Sequence, residues 1–95
     1  MKLSLAMIAK GTAEEADYLQ NALLSTNNIF DEIVIVANAP QGVKIAPEIK
    51  SICDKFNATM YKAEWKEDFA EMRNISFDKC TGDLIFWMDS DDVID

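Results

Sequence analysis

Asp89, Asp91 and Asp92 crowd into four consecutive positions directly after the apolar run Leu84 to Met88. Asp89 and Asp91 flank one residue, so in an extended stretch their side chains project to the same side. Two hard oxygen donors at that spacing suit Mg²⁺ or Mn²⁺, with water and ligand phosphates completing the shell. A bound cation would relieve the repulsion between the carboxylates and lower their pKa values. A structural alternative stands beside this one: acidic residues after a strand also terminate it, or cap a following helix by accepting from its free N–H groups. A calcium-binding EF-hand loop is excluded, because Val93 and Ile94 occupy the positions that such a loop gives to Asp or Asn and to Gly.

The cations that would face an anionic ligand are few. Arg73 lies four residues after Phe69, on the side marked by Phe69, Met72, Phe77 and Cys80. Its planar fork suits phosphate or carboxylate. The alternative is an arginine that snorkels to the helix flank or pairs with Glu71 or Asp78. Asn74 beside it could reach an acceptor or a base edge. Lys10 follows the first apolar segment and supplies a second cation. Histidine is absent, which removes the commonest general base and the commonest transition-metal ligand. Gly11, Gly42 and Gly82 are scattered, so neither a P-loop nor a dinucleotide fingerprint is present.

Bulk properties narrow the classes further. The 95 residues suit one small domain, and 49% are hydrophobic, enough for a core. A net charge of −8 repels nucleic acid and anionic membranes. An anionic ligand therefore needs a local cation or a bound metal. No apolar run is long enough for a membrane span, and the segment MKLSLAMIAKGT lacks the long apolar stretch of a signal peptide, so the expected location is cytoplasmic. Cys53 and Cys80 form no CxxC pair and fall on apolar helical stripes, as buried free thiols do.

Alternating segments must position these residues. Strands are expected at Leu3 to Ile8, Glu32 to Ala37, Ala58 to Ala63 and Leu84 to Met88. Helices are expected between them. The first carries a Thr12–Glu15 capping box and ends at Asn27 and Asn28. The second starts at Pro47 and buries Ile49, Ile52, Cys53 and Phe56. The third, EDFAEMRNISFDKC, stops at Thr81-Gly82, with Gly82 as C-terminal cap. The order β-α-β-α-β-α-β predicts an α/β fold, a four-stranded parallel sheet with helices on both faces. In such sheets ligands bind beyond the carboxyl ends of the strands, where Asp89 to Asp92 stand.

Trp65, Asp68-Phe69-Ala70, Arg73-Asn74, the apolar strand and the tip MDSDD together resemble the family 2 glycosyltransferases of the GT-A fold. LSLAMIAK and FDEIVIV resemble the first two strands of that family. The resemblance implies a Rossmann-like, GT-A-type sheet that binds a nucleotide-diphosphate sugar through a divalent cation and transfers the sugar to an acceptor it does not identify. It implies Asp91 as metal ligand, Asp89 on the metal or the ribose, and Asp92 as a sugar contact. Arg73, Asn74 and Lys10 would approach the nucleotide. The sequence differs from the family at the end of the second strand, where Ala37 and Asn38 replace the usual acidic residue, and after the first, where Gly11-Thr12 replaces a polar-acidic pair.

In this family the catalytic base and the acceptor site follow the acidic tip. The expectation is thus a truncated, single nucleotide-sugar-binding domain over residues 1–95, inactive alone, with the base beyond Asp95. A strand order of 3-2-1-4 would leave Leu84 to Met88 at a sheet edge, open to self-association with a second copy. Two other readings remain: a non-catalytic nucleotide- or metal-binding module of the same fold, and a phosphoacceptor regulator of flavodoxin-like architecture.

Overall fold

A computed structural model describes residues 1–26, 28–64 and 69–89. The elements run β1 (Leu3–Lys10), α1 (Glu15–Ser25), β2 (Glu32–Ala39), α2 (Pro47–Lys55), β3 (Thr59–Glu64), α3 (Phe69–Lys79) and β4 (Leu84–Asp89). Every expected element is present and in the expected order. All pairings are parallel, in the order β3-β2-β1-β4. β1 and β2 are the inner strands, and their uninterrupted apolar runs follow from that place: Leu5 to Ala9 and Val34 to Ala37 are all buried.

The side-chain alternation of the strands divides the core in two. Leu5, Met7, Ile35 and Met88 face α1 and α2, which contribute Leu19, Leu23, Ile49 and Cys53. Ile8, Val36 and Trp87 face α3, which contributes Met72. Helices therefore cover both faces of the sheet.

Two expected caps are replaced by other devices. α1 begins at Glu15 with Glu14 at the N-cap and no side-chain cap bond, so the Thr12–Glu15 capping box does not form. Thr12 instead stands in a turn whose carbonyl accepts from the Glu15 N–H at 3.2 Å. Gly82 is not a left-handed helix cap; positive φ among the described glycines belongs to Gly42. Its need is space: a Cβ there would strike Ser4 Oγ and lie 2.9 Å from the Lys2 carbonyl oxygen and 3.0 Å from Ser4 N. A hydrogen bond of 2.9 Å from the Gly82 N–H to Ser4 Oγ occupies the space that glycine leaves.

At the end of α2 an asparagine does what glycine commonly does. Asn57 adopts φ 58°, and the Ala58 N–H reaches back to the Cys53 carbonyl at 2.8 Å while the Asn57 N–H bonds that of Asp54 at 3.2 Å. This six-to-one and five-to-two pairing is the Schellman closure. Asn28, after α1, is also left-handed, at φ 61°.

Among the described residues, the strand that begins at Leu84 is an open edge. Leu84, Ile85 and Phe86 are 47%, 40% and 50% exposed, while Met88 is buried. Phe86 is steadied by an edge-on contact with Phe30, ring centroids 5.6 Å apart. No helix among the described residues is long and apolar enough to cross a membrane.

Candidate functional site at the carboxyl ends of the strands

The inner strands run further than their apolar patterns suggest. Lys10 and Asn38 belong to β1 and β2 rather than to the loops after them, and they are register partners. Lys10 is exposed at the end of β1, whereas Asn38 is 8% exposed beneath the mouth of the site. Alternation turns Ala37 into the α1/α2 core and Asn38 to the α3 face. Of the two residues that replace the family's acidic one, Asn38 is thus the one on the site's side of the sheet. It is neutral.

The loops after β1 and β2 are bound to each other through Gly11. The Gly11 N–H donates to the Asn38 carbonyl at 2.8 Å, and the Gly11 carbonyl accepts from the Ala46 N–H at 2.8 Å. A Cβ on Gly11 would collide with Ile45 Cδ1 and approach the Asn38 oxygen to 3.1 Å. Glycine here permits two crossover loops to lie against one another, which fixes the rim near Lys10.

α3 brings in Arg73, and its burial pattern differs from the expected stripe. Among its described side chains Met72 and Ser76 are buried, Phe77 is half-buried, as is Cys80 just beyond the helix, and Arg73 and Asn74 are exposed; the Phe69 side chain lies outside the described set. Arg73 thus stands on the flank rather than among the inward residues. Its guanidinium carbon lies over the Trp87 ring, 4.5 Å from the centroid, within range of a cation–π attraction. Ser76 is small enough to sit against the sheet, and its hydroxyl donates to the Arg73 carbonyl at 2.7 Å. Nothing in a linear pattern marks Trp87 as part of this arrangement, since an aromatic residue in an apolar strand resembles core.

β4 ends at Asp89, whose backbone is in register with Ile8. Lys10, Asn38 and Asp89 are therefore brought to one end of three adjacent strands. Arg73 rests on Trp87, two residues before Asp89. Asp91 and Asp92, with Trp65 and Asp68, lie outside the described residues. Among the described residues no group of three His, Cys, Asp or Glu side chains is placed to hold a metal ion. The donor set that the sequence offers at this end is oxygen only, which fits a hard divalent cation and not zinc or copper.

The two cysteines play no part. Burial pushes the Cys53 thiol up to about 11, and burial also raises Cys80, so neither offers much thiolate at neutral pH. Cys53 is buried as expected; Cys80 is only half-buried, because α3 ends before it.

The opposite end of the sheet holds different chemistry. The Glu32 carboxylate accepts from the Ser4 hydroxyl at 2.8 Å, the Thr81 N–H at 2.7 Å and the Thr81 hydroxyl at 3.0 Å. The Lys2 ammonium lies 3.7 Å away and donates to the Thr81 hydroxyl at 2.6 Å. The Thr81 backbone bond leads in holding the Glu32 pKa below its ordinary value, opposed by burial and aided by Ser4, the Thr81 hydroxyl and Lys2. A cavity of ≈ 190 Å³ opens at this end, lined by Thr26, Asn28, Phe30, Asp31, Ile33, Phe56 and Asn57. Its one acid, Asp31, accepts from the Leu3 N–H at 2.8 Å. It lies at the wrong pole for the strand-end site.

Comparison with known proteins identifies the family and the fold. Residues 7–95 match the family described as Glycosyl transferase family 2. A TPR repeat-containing protein of Synechococcus elongatus is 26% identical over 93 residues, which are 98% of this chain and 21% of that protein. The fold matches crystal structures of S. aureus TarS over 100% of this chain. The TM-score is 0.74 at 20% identity for one TarS chain, of which 17% is covered. For TarS 1–349 in complex with UDP it is 0.73 at 20% identity, with 29% covered. The chain thus spans about a fifth of the length of the curated relative it matches.

Proposed function

The chain belongs to glycosyl transferase family 2, and from that premise we propose that residues 1–95 form a domain that binds the donor of a sugar transfer, a nucleotide-diphosphate sugar. The observation that carries this reading is the gathering of Lys10, Asn38 and Asp89 at the carboxyl ends of adjacent strands, with Arg73 on the neighbouring flank. In a chain of net charge −8, these two cations can neutralise an anionic ligand at this end of the sheet.

Asp89 and Asp91 would hold a divalent cation, Mn²⁺ or Mg²⁺, and Asp92 would contact the sugar. Such an ion, when bound, offsets charge on the pyrophosphate leaving group. Lys10 and Arg73 would attract the phosphates from the protein side, Arg73 through its planar fork. Asn74, exposed beside Arg73, would donate to or accept from the nucleotide. The buried Asn38, polar without charge, would hydrogen-bond the nucleoside where relatives use an acid. The acceptor-binding and base functions of a whole transferase belong to the remaining length of such proteins.

The neutral Asn38 also favours a second reading, a module that retains nucleotide or metal binding without catalysis. A phosphoacceptor regulator is not supported. Its acids would come from several strand ends, and here the inner strands end in Lys10 and Ala39.

Calorimetric titration of the chain with UDP- and GDP-sugars, with and without Mn²⁺, tests the proposal. Binding that requires the metal is expected. Metal binding without nucleotide would favour the second reading, and binding of neither would end both. A second copy of the chain is the proposed partner for the open β4 edge, through its unpaired backbone groups and the exposed Leu84, Ile85 and Phe86. Sedimentation that stays monomeric at high concentration would refute this.

A further inference from the structure

We infer that Trp87 is the positioning residue for Arg73: its indole face on β4 holds the guanidinium in place to meet the anionic part of a bound nucleotide. The inference rests on the nucleotide-sugar reading above and assigns the device that prepares its arginine.

An exposed arginine ordinarily samples many rotamers, and ordering it on binding weakens affinity. Arg73 is exposed, yet its guanidinium carbon is 4.5 Å from the Trp87 centroid. Tryptophan is the strongest aromatic partner for a cation. The platform is itself fixed. Trp87 packs against the cluster of Ile8, Val36 and Met72, and its register partner across the ladder is Ala6, whose short side chain leaves room for the large ring. The base of the arginine is fixed as well, through the Ser76 hydroxyl on its carbonyl.

The indole nitrogen supplies an independent sign. Trp87 Nε1 is buried and has no hydrogen-bond partner among the described residues. Buried indole N–H groups normally find an acceptor. Among the described residues no hydrogen bond orients the ring; packing holds it on one side and its face is offered to the cation. Trp87 precedes Asp89 by two residues in the β1–β4 ladder, so the arginine platform and the start of the acidic tip share one strand.

The test is a double-mutant cycle on the 95-residue chain, read by titration with UDP and GDP in Mn²⁺ and by NMR of the Arg73 Nε–H. Trp87→Leu is expected to weaken nucleotide binding by about 3- to 10-fold, the size of an exposed to partly desolvated cation–π contact. Trp87→Phe keeps a ring face and loses the orphan donor, so it should retain most of the affinity. In an Arg73→Ala background Trp87→Leu should change binding no further, because the ring acts through the arginine. In the free protein the Arg73 Nε–H should carry a ring-current shift that Trp87→Leu abolishes. Equal losses with and without Arg73 would overturn the inference, and so would a wild-type Arg73 resonance without ring-current shift, even where Trp87→Leu fails to fold. Wild-type binding that Trp87→Leu leaves unchanged would refute the positioning role alone. A ring-current shift in a chain that binds neither nucleotide would refute the nucleotide reading, and the positioning role with it.

Discussion

The two poles of the sheet spend their polar residues in opposite ways. At the amino pole nearly every polar group has a partner within the chain: Lys2 with Thr81 and Asp83, Leu3 with Asp31, and Ser4 and Thr81 with Glu32. At the carboxyl pole Lys10 is exposed, and Arg73 rests on a ring rather than in an ion pair with a described carboxylate. Satisfied polar groups hold a fold; groups left to solvent are available to a ligand. Under the proposed function, the contrast would separate stability from recognition along the strand direction.

Variants should therefore divide by pole. The largest effect is expected from Asp91→Asn. Removing a charged ligand from the proposed cation site should lower metal-dependent nucleotide affinity about 100-fold, the upper end of the range typical of lost outer-shell partners of a metal. If the Asp91 charge serves a ligand and not the fold, the melting temperature of the unliganded chain should stay within about 2 °C. A large fall in melting temperature would show that the carboxyl pole also carries structure. Gly82→Ala is the converse experiment. Its Cβ meets backbone at 2.9 and 3.0 Å, so overpacking should cost about 2 kcal/mol, or roughly 10 °C, while affinity at the far pole is unchanged.

The smallest effect concerns acid. The folded-state pKa of Glu32 lies below its ordinary value of 4.5. The unfolded chain therefore takes up this proton more readily than the folded one, and stability rises with pH across that window. The contribution is complete above pH 4.5 and is lost as pH falls through the folded pKa. Glu32→Gln should flatten that part of the acid-unfolding curve, measured by circular dichroism, and leave nucleotide binding at neutral pH unaltered. An unchanged acid limb would show that the clamp does not distinguish the charged carboxylate.

The architecture was legible because it rests on local signals. Apolar runs marked the two inner strands, the second of them β-branched, and helical spacing placed Ile49, Ile52 and Cys53 inward. Even the open β4 edge followed from the strand order. The amino-pole clamp was not legible, because Glu32 and Thr81 are 49 positions apart and Ser4 and Gly82 are 78 apart. A serine within LSLAMI gave a hint, since an inner strand tolerates a buried hydroxyl only with a partner. At the candidate site, residue types pointed to Lys10 and Arg73, but the sequence could not separate Ala37 from Asn38 until strand register assigned each a face. Trp87 was missed for a related reason. Its role depends on a ring face turned toward another element, and composition does not encode orientation.

The clamp at the amino pole also bears on the order of assembly. The Lys2 N–H and Asp83 carboxylate that meet there are separated by 81 positions. β1 lies between β2 and β4, so its second edge has no neighbour until Leu84 has left the ribosome. Until then a nascent chain has formed only the β1–β2–β3 side of its sheet, with the Ser4 hydroxyl and Glu32 carboxylate still in water. Closing so long a loop is slow, and the open side is where a nascent chain would pair wrongly. Among the contacts of these four strands, those that seal the β1–β4 side thus form latest, and the exposure of the second edge of β1 ends when Gly82 docks on Ser4.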